Sequence, residues 1–172
     1  MTKRLFLHVA LQIVLLLTIV GKYHYIAGTG QLITLKTAPV DPRDLFYGDY
    51  VILNYEISQV ERGSVKTDLR EERNGPFTVY VLVEKRSHPW YEAAGVFENK
   101  PVPNENQAVL RAKLNDYDPK SEMLYLSYGL ERYYVPENTG REWEDRREEL
   151  TLVDVRVTGS GEAVIDRLRM EK

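Results

Sequence analysis

Asp49-Tyr50-Val51-Ile52-Leu53-Asn54-Tyr55-Glu56-Ile57-Ser58 is the run on which the reading of this chain turns. Successive side chains of an extended strand alternate between faces, so Val51, Leu53, Tyr55 and Ile57 share one side and Tyr50, Ile52, Asn54 and Glu56 the other. The first set makes the better core face. Working outward, other runs rich in Val, Ile, Leu, Tyr or Thr predict strands near Gln31–Thr37, Phe77–Glu84, Ala108–Leu114, Met123–Val135, Leu150–Val157 and Ala163–Met170. The last two flank Thr158-Gly159-Ser160-Gly161, whose glycines accept positive φ, and this predicts a C-terminal hairpin. Several short strands with turns between them point to a mainly β, antiparallel domain of barrel or sandwich form.

Three stretches break the β pattern. From Glu137 to Glu149, nine of thirteen residues are charged and Glu142 stands four before Arg146, which predicts one short solvated helix with Trp143 turned inward. Glu61–Asn74 is charged without periodicity and reads as a long mobile loop. Asn115-Asp116-Tyr117-Asp118-Pro119 lacks the glycine and closing Glu of a calcium loop and reads as a polar turn.

The N-terminus carries a different signal. Thirteen of the sixteen residues from Leu5 to Val20 are apolar, preceded by Lys3 and Arg4. The chain then runs Gly21-Lys22-Tyr23-His24-Tyr25-Ile26-Ala27-Gly28, where bulky Tyr25 occupies a position that a cleaved secretory signal gives to a small residue. Residues 5–21 as a helix span about 25 Å, and snorkelling of Lys22 with an interfacial Tyr23/Tyr25 pair makes up the difference from a hydrocarbon core of roughly 30 Å. The expectation is an uncleaved signal anchor in the cell membrane, with residues 5–21 in the lipid bilayer. Lys3 and Arg4 against Lys22 place the N-terminus in the cytoplasm and the rest outside. Residues 1–30 then form the stub, anchor and a Gly28-Thr29-Gly30 hinge, and residues 31–172 form one extracytoplasmic domain.

Composition narrows the chemistry. With no Cys, disulfides, thiol nucleophiles and iron–sulfur sites are excluded. The three His, at 8, 24 and 88, are scattered, and there is no phosphate-binding glycine motif, so no metal and no cofactor are expected. Residues 31–172 hold 20 basic and 26 acidic side chains, net −6, which argues against nucleic acid and against anionic lipid headgroups as partners.

Gly48-Asp49-Tyr50, then Leu53, then Tyr55 resembles the signature of the bacterial GDYXXLXY family, membrane-anchored proteins of unknown function. Gly129-Leu-Glu-Arg-Tyr-Tyr-Val-Pro136-Glu-Asn-Thr-Gly140 and Gly161-Glu-Ala-Val-Ile-Asp-Arg-Leu168 are similar as well, so the likeness covers most of residues 31–170. The resemblance implies one anchor, an exported β-rich domain and a multispanning membrane protein as partner. It brings no catalytic residues.

Two surfaces are the candidate binding sites. One is the corner of Asp41, Arg43, Asp44, Asp49 and Tyr50, where Asp41-Pro42 sets a turn and Gly48 re-aims the chain into the strand. The other is the aromatic loop His88-Pro89-Trp90-Tyr91. The leading expectation is a non-enzymatic accessory or binding module beside a polytopic partner. The alternatives are a cell-envelope hydrolase with an unrecognised acidic or Ser site, either a carboxylate pair or Ser58 or Ser64 with Lys66, and a polysaccharide-binding domain presenting Trp90 as a platform.

Overall fold

The computed structural model describes residues 2–38, 50–69, 76–134 and 151–170. Among the described residues one α-helix, α1 (Thr2–Thr29), is followed by eleven strands: β1 (Gln31–Lys36), β2 (Tyr50–Ile52), β3 (Gln59–Glu61), β4 (Lys66–Thr67), β5 (Phe77–Lys85), β6 (Tyr91–Phe97), β7 (Gln107–Asp118), β8 (Met123–Ser127), β9 (Arg132–Tyr134), β10 (Thr151–Val157) and β11 (Ala163–Met170). They form a six-stranded sheet in the order β3-β8-β7-β5-β6-β4, a three-stranded sheet β1-β10-β11 and the pair β2-β9. Pairing is antiparallel except for the two-residue match of β4 with β6. The result is the expected mainly β domain, curled into a half-barrel.

The core is what the alternation dictates. Val79, Val81 and Val83 of β5 meet Leu110, Ala112 and Leu114 of β7, Leu124 and Leu126 of β8, and Val153, Val155 and Val157 of β10. The three-stranded sheet docks on the larger one through its hairpin turn. Arg111 of β7 donates its backbone N–H to the Gly161 carbonyl (2.7 Å). Gly161 has φ +89, and a Cβ there would lie 3.0 Å from the Arg111 nitrogen, so glycine suits both the turn and the contact.

Several expectations change. Leu53, Tyr55 and Ile57 are buried as the alternation requires, but the ladder lasts only Tyr50–Ile52 and a 3₁₀ turn follows at Glu56–Ser58. The Met123–Val135 run divides into β8 and β9 because Gly129 (φ +75) turns the chain between them. Asn115–Asp118 belongs to β7, and the turn begins only at Pro119. Asn115 is the extra residue of a bulge against β8, which bends the strand and lets it continue to Asp118. The first part of Glu61–Asn74 is ordered rather than a loop: Ser64 donates its hydroxyl to the Glu61 carbonyl (2.7 Å) within a 3₁₀ turn, and β4 follows. The Tyr91–Phe97 strand was not expected, since Ala93-Ala94-Gly95 is weak in β propensity; cross-strand pairing with β5 holds it. The helix expected at Glu137–Glu149 lies outside the described residues.

Helix α1 is long and apolar enough to cross a bilayer. Its large side chains from Leu5 to Val20 are 46–79% exposed, whereas Ile26, near the end, is buried against the domain. Gly28 and Thr29 remain helical, and Thr29 donates its hydroxyl to the Tyr25 carbonyl (2.7 Å). The expected three-residue hinge therefore contracts to Gly30. Its N–H closes the helix on the Ile26 carbonyl (2.9 Å), and a Cβ would lie 2.7 Å from that same oxygen. Lys22 pairs with Glu162 of the hairpin (2.6 Å).

Candidate functional site

Three elements build the corner around β2. Tyr55, 1% exposed, donates its hydroxyl to the Leu130 carbonyl (2.7 Å), and the Leu53 N–H donates to the Glu131 carbonyl (2.8 Å). Tyr128 donates its hydroxyl to the Ile57 carbonyl (2.6 Å) and stands edge-on to Tyr55, ring centroids 6.4 Å apart. Further out, Tyr50 pairs with Tyr134 across β2 and β9, their rings 5.9 Å apart, and the Arg132 guanidinium lies 5.5 Å from the Tyr50 ring centre. Burial first, and the Glu131 charge second, pushes both the Tyr55 and the Tyr128 phenol well above the usual tyrosine range. Both therefore keep their protons and act as donors.

This corner grades from dry to wet. Leu53 and Tyr55 are buried, Tyr50 is half-buried, Arg132 is exposed and Tyr134 is 72% exposed. The inner part holds the chain in place. The outer part offers two tyrosine rings and a guanidinium, side-chain types that dominate protein–protein contact energies.

A family model described as GDYXXLXY protein matches residues 12–168, and its spelled positions fall on Gly48, Asp49, Tyr50, Leu53 and Tyr55. The chain belongs to the GDYXXLXY family. No curated protein and no solved structure matches it.

In this GDYXXLXY chain the described letters of the signature form one clasp: Tyr50, Leu53 and Tyr55 each engage the Leu130–Tyr134 segment, by ring contact, backbone bond and hydroxyl respectively. The second stretch that carries the likeness is thus the direct partner of the first. The third, from Gly161, anchors the hairpin and meets Lys22 of α1.

Of the residues singled out in the sequence, Asp41, Arg43, Asp44 and Asp49 lie outside the described residues. Tyr50 is in the clasp. Trp90 and Tyr91 have other neighbours: Trp90 stacks on His88 (4.6 Å, 4° between planes), with the Lys36 Nζ 4.8 Å from its ring centre. Lys36 also pairs with Glu56, so the aromatic loop reaches the far end of β1 rather than Tyr50 itself. Tyr91 walls a cleft of about 200 Å³ together with Glu56, Glu61 and Glu92. Glu92 is held by Arg86 (3.5 Å) as Glu56 is by Lys36, so two of these carboxylates are counter-ions. The Ser–Lys pairs fare no better as nucleophiles. Ser64 spends its proton on a carbonyl, and the buried Ser58 hydroxyl has no hydrogen-bond partner among the described residues, while Lys66 is exposed.

Sequence reasoning missed a second polar centre. Asp154, 2% exposed, accepts from Thr34 (2.7 Å) and Arg169 (2.6 Å) on one oxygen and from Arg167 (3.0 Å) on the other. Burial raises its carboxyl, but the bonds from Thr34, Arg169 and Arg167 outweigh that and leave it below the usual carboxylate range. A lone acid inside Leu152-Val153-Asp154-Val155, followed by Arg167 and Arg169 two apart on one strand face, was the available signal.

Proposed function

We propose that the chain is a single-pass membrane protein whose extracytoplasmic β domain works as an accessory module, docking on a multispanning membrane protein. The observation that carries this reading is the uncovered helix. Its apolar side chains from Leu5 to Val20 project on every side and are left uncovered by the other described residues, and such a surface is at rest in lipid. Lys3 and Arg4 before the span orient it with the N-terminus in the cytoplasm. A domain tethered this way meets other membrane proteins at high effective concentration, so a modest patch suffices for recognition. The exposed Tyr134 and Arg132 beside Tyr50 are that patch. Trp90, with one ring stacked on it and a cation over it, suits a bare carbohydrate platform less well.

Crosslinking in native membranes, then affinity purification of the full-length chain, tests the reading. A companion protein carries residues 31–172 on an unrelated anchor. The same multispanning protein should be recovered with both, and Tyr134→Ala with Arg132→Ala should lower its yield while leaving the melting temperature unchanged. Recovery of no specific partner with either chain would overturn the accessory role.

A further inference from the structure

Where α1 meets the domain, two clefts share a wall. One, of about 210 Å³, lies between Lys22, Tyr23 and Ile26 of the helix and Arg111, Tyr128 and Glu162 of the domain. The other, of about 400 Å³, continues past Arg111 and Tyr128 to Lys113, Thr78, Ser127 and Gly129. Arg111 and Lys113 stand two apart on β7 and so point to the same exposed face. Neither has an ion-pair partner among the described residues. Lys22 does: its ammonium is neutralised by Glu162. The combined groove therefore holds one carboxylate already satisfied and two cations that are not, with the hydroxyls of Thr78 and Ser127 nearby.

Its height matters. If the hydrocarbon ends near Gly21, then Lys22 to Ile26 rise about 1.5–7.5 Å above it at 1.5 Å per residue. The headgroup layer on each side of a bilayer is roughly 5–7.5 Å thick. The helix side of the groove thus opens within the headgroup layer.

We infer that this groove seats the phosphate of an anionic phospholipid from the surrounding leaflet, held by Arg111 and Lys113 between β7 and the emerging helix. The inference rests on the anchor reading above. It also reverses a conclusion drawn from composition. Net charge −6 is an average over the domain, whereas a headgroup responds to charges within a Debye length of about 8 Å, and here Arg111, Lys113 and Lys22 stand against Glu162 and against Glu131, which accepts from the Tyr128 N–H, an excess of one positive charge among the described residues.

The experiment is native mass spectrometry of the full-length chain released from bilayers that mix phosphatidylglycerol and phosphatidylcholine. Bound phosphatidylglycerol should exceed its share of the mixture. Lys113→Ala and Arg111→Gln should each cut that preference roughly fivefold, as expected for about one surface cation lost. Lys120→Ala, on the distant β7–β8 turn, should leave it unchanged. The backbone N–H that Arg111 donates to Gly161 is kept in Arg111→Gln, and Glu162→Gln adds a check that leaves both cations in place: freeing Lys22 should strengthen retention. Equal retention of the two lipids, or unchanged preference in the Lys113→Ala and Arg111→Gln proteins, overturns the inference. Retention abolished by millimolar inorganic phosphate and restored on its removal, with phosphate itself bound in lipid-free detergent, would assign the groove to free phosphate and overturn the lipid assignment. Extraction by alkaline carbonate separates the two readings. A chain that washes off the membrane fails as an anchored protein, while one that stays and shows no lipid preference fails only here.

Discussion

The tyrosine clasp and the Asp154 cluster both tie strands that are far apart in sequence, yet they do so with opposite electrostatics. In the clasp, neutral phenols donate to carbonyls inside the core, and burial keeps them protonated. In the cluster, an ionised carboxylate is buried and its arginines stay at the surface, Arg167 and Arg169 being 61% and 45% exposed. One centre stays uncharged because desolvation wins. The other stays charged because three donors outweigh desolvation. The molecule is thereby held by one device that fails in alkali and another that fails in acid.

The largest effect breaks the clasp outright. Tyr55→Ala should cost about 3–5 kcal/mol, since it leaves a cavity at a fully buried aromatic site and strips the Leu130 carbonyl of its donor. Urea unfolding of the full-length chain in detergent would read it, and a loss below 1 kcal/mol would mean that the clasp is peripheral.

The cluster should respond less to Asp154→Asn, by about 1–3 kcal/mol at neutral pH, because the amide keeps one acceptor and the arginines can turn to water. Its signature is the pH profile. A carboxyl whose folded value lies below its unfolded value contributes stability that is present above the usual carboxylate range and lost as pH falls through the lowered folded value. The urea midpoint of the parent chain should therefore decline on acidification, and that of Asp154→Asn should decline less. Parallel curves would remove Asp154 from the account.

Tyr55→Phe sharpens the contrast at the other end of the scale. It should cost about 1 kcal/mol at neutral pH. A phenol with a raised folded value contributes stability that is fully present below its unfolded value near 10 and is lost as pH rises above that toward the folded value. Stability of the parent should consequently fall above about pH 10, and the Phe variant should fall less steeply. The smallest effect is a gain. Ser58→Ala removes a buried hydroxyl beside the clasp that has no partner among the described residues and should stabilise by up to about 1 kcal/mol; a loss would reveal that the hydroxyl is used.

Much of this was legible in one dimension. The apolar run from Leu5 to Val20, the alternation that buries Val51, Leu53, Tyr55 and Ile57, and the glycine turn before β11 follow from local rules: helix length, strand period and the φ that a residue tolerates. These depend on neighbours within a few residues, so sequence alone determined a β-rich domain behind an apolar helix. What tertiary structure decided depends on pairs far apart. Tyr55 meets Leu130 across 75 positions, Thr34 meets Asp154 across 120, and Lys22 meets Glu162 across 140. A buried acid or a tyrosine hydroxyl has no period to announce its partner, and net charge says nothing about where Arg111 and Lys113 stand relative to the helix. Those placements follow from closing the sheets on one another, which is a property of the whole chain and of no segment in it.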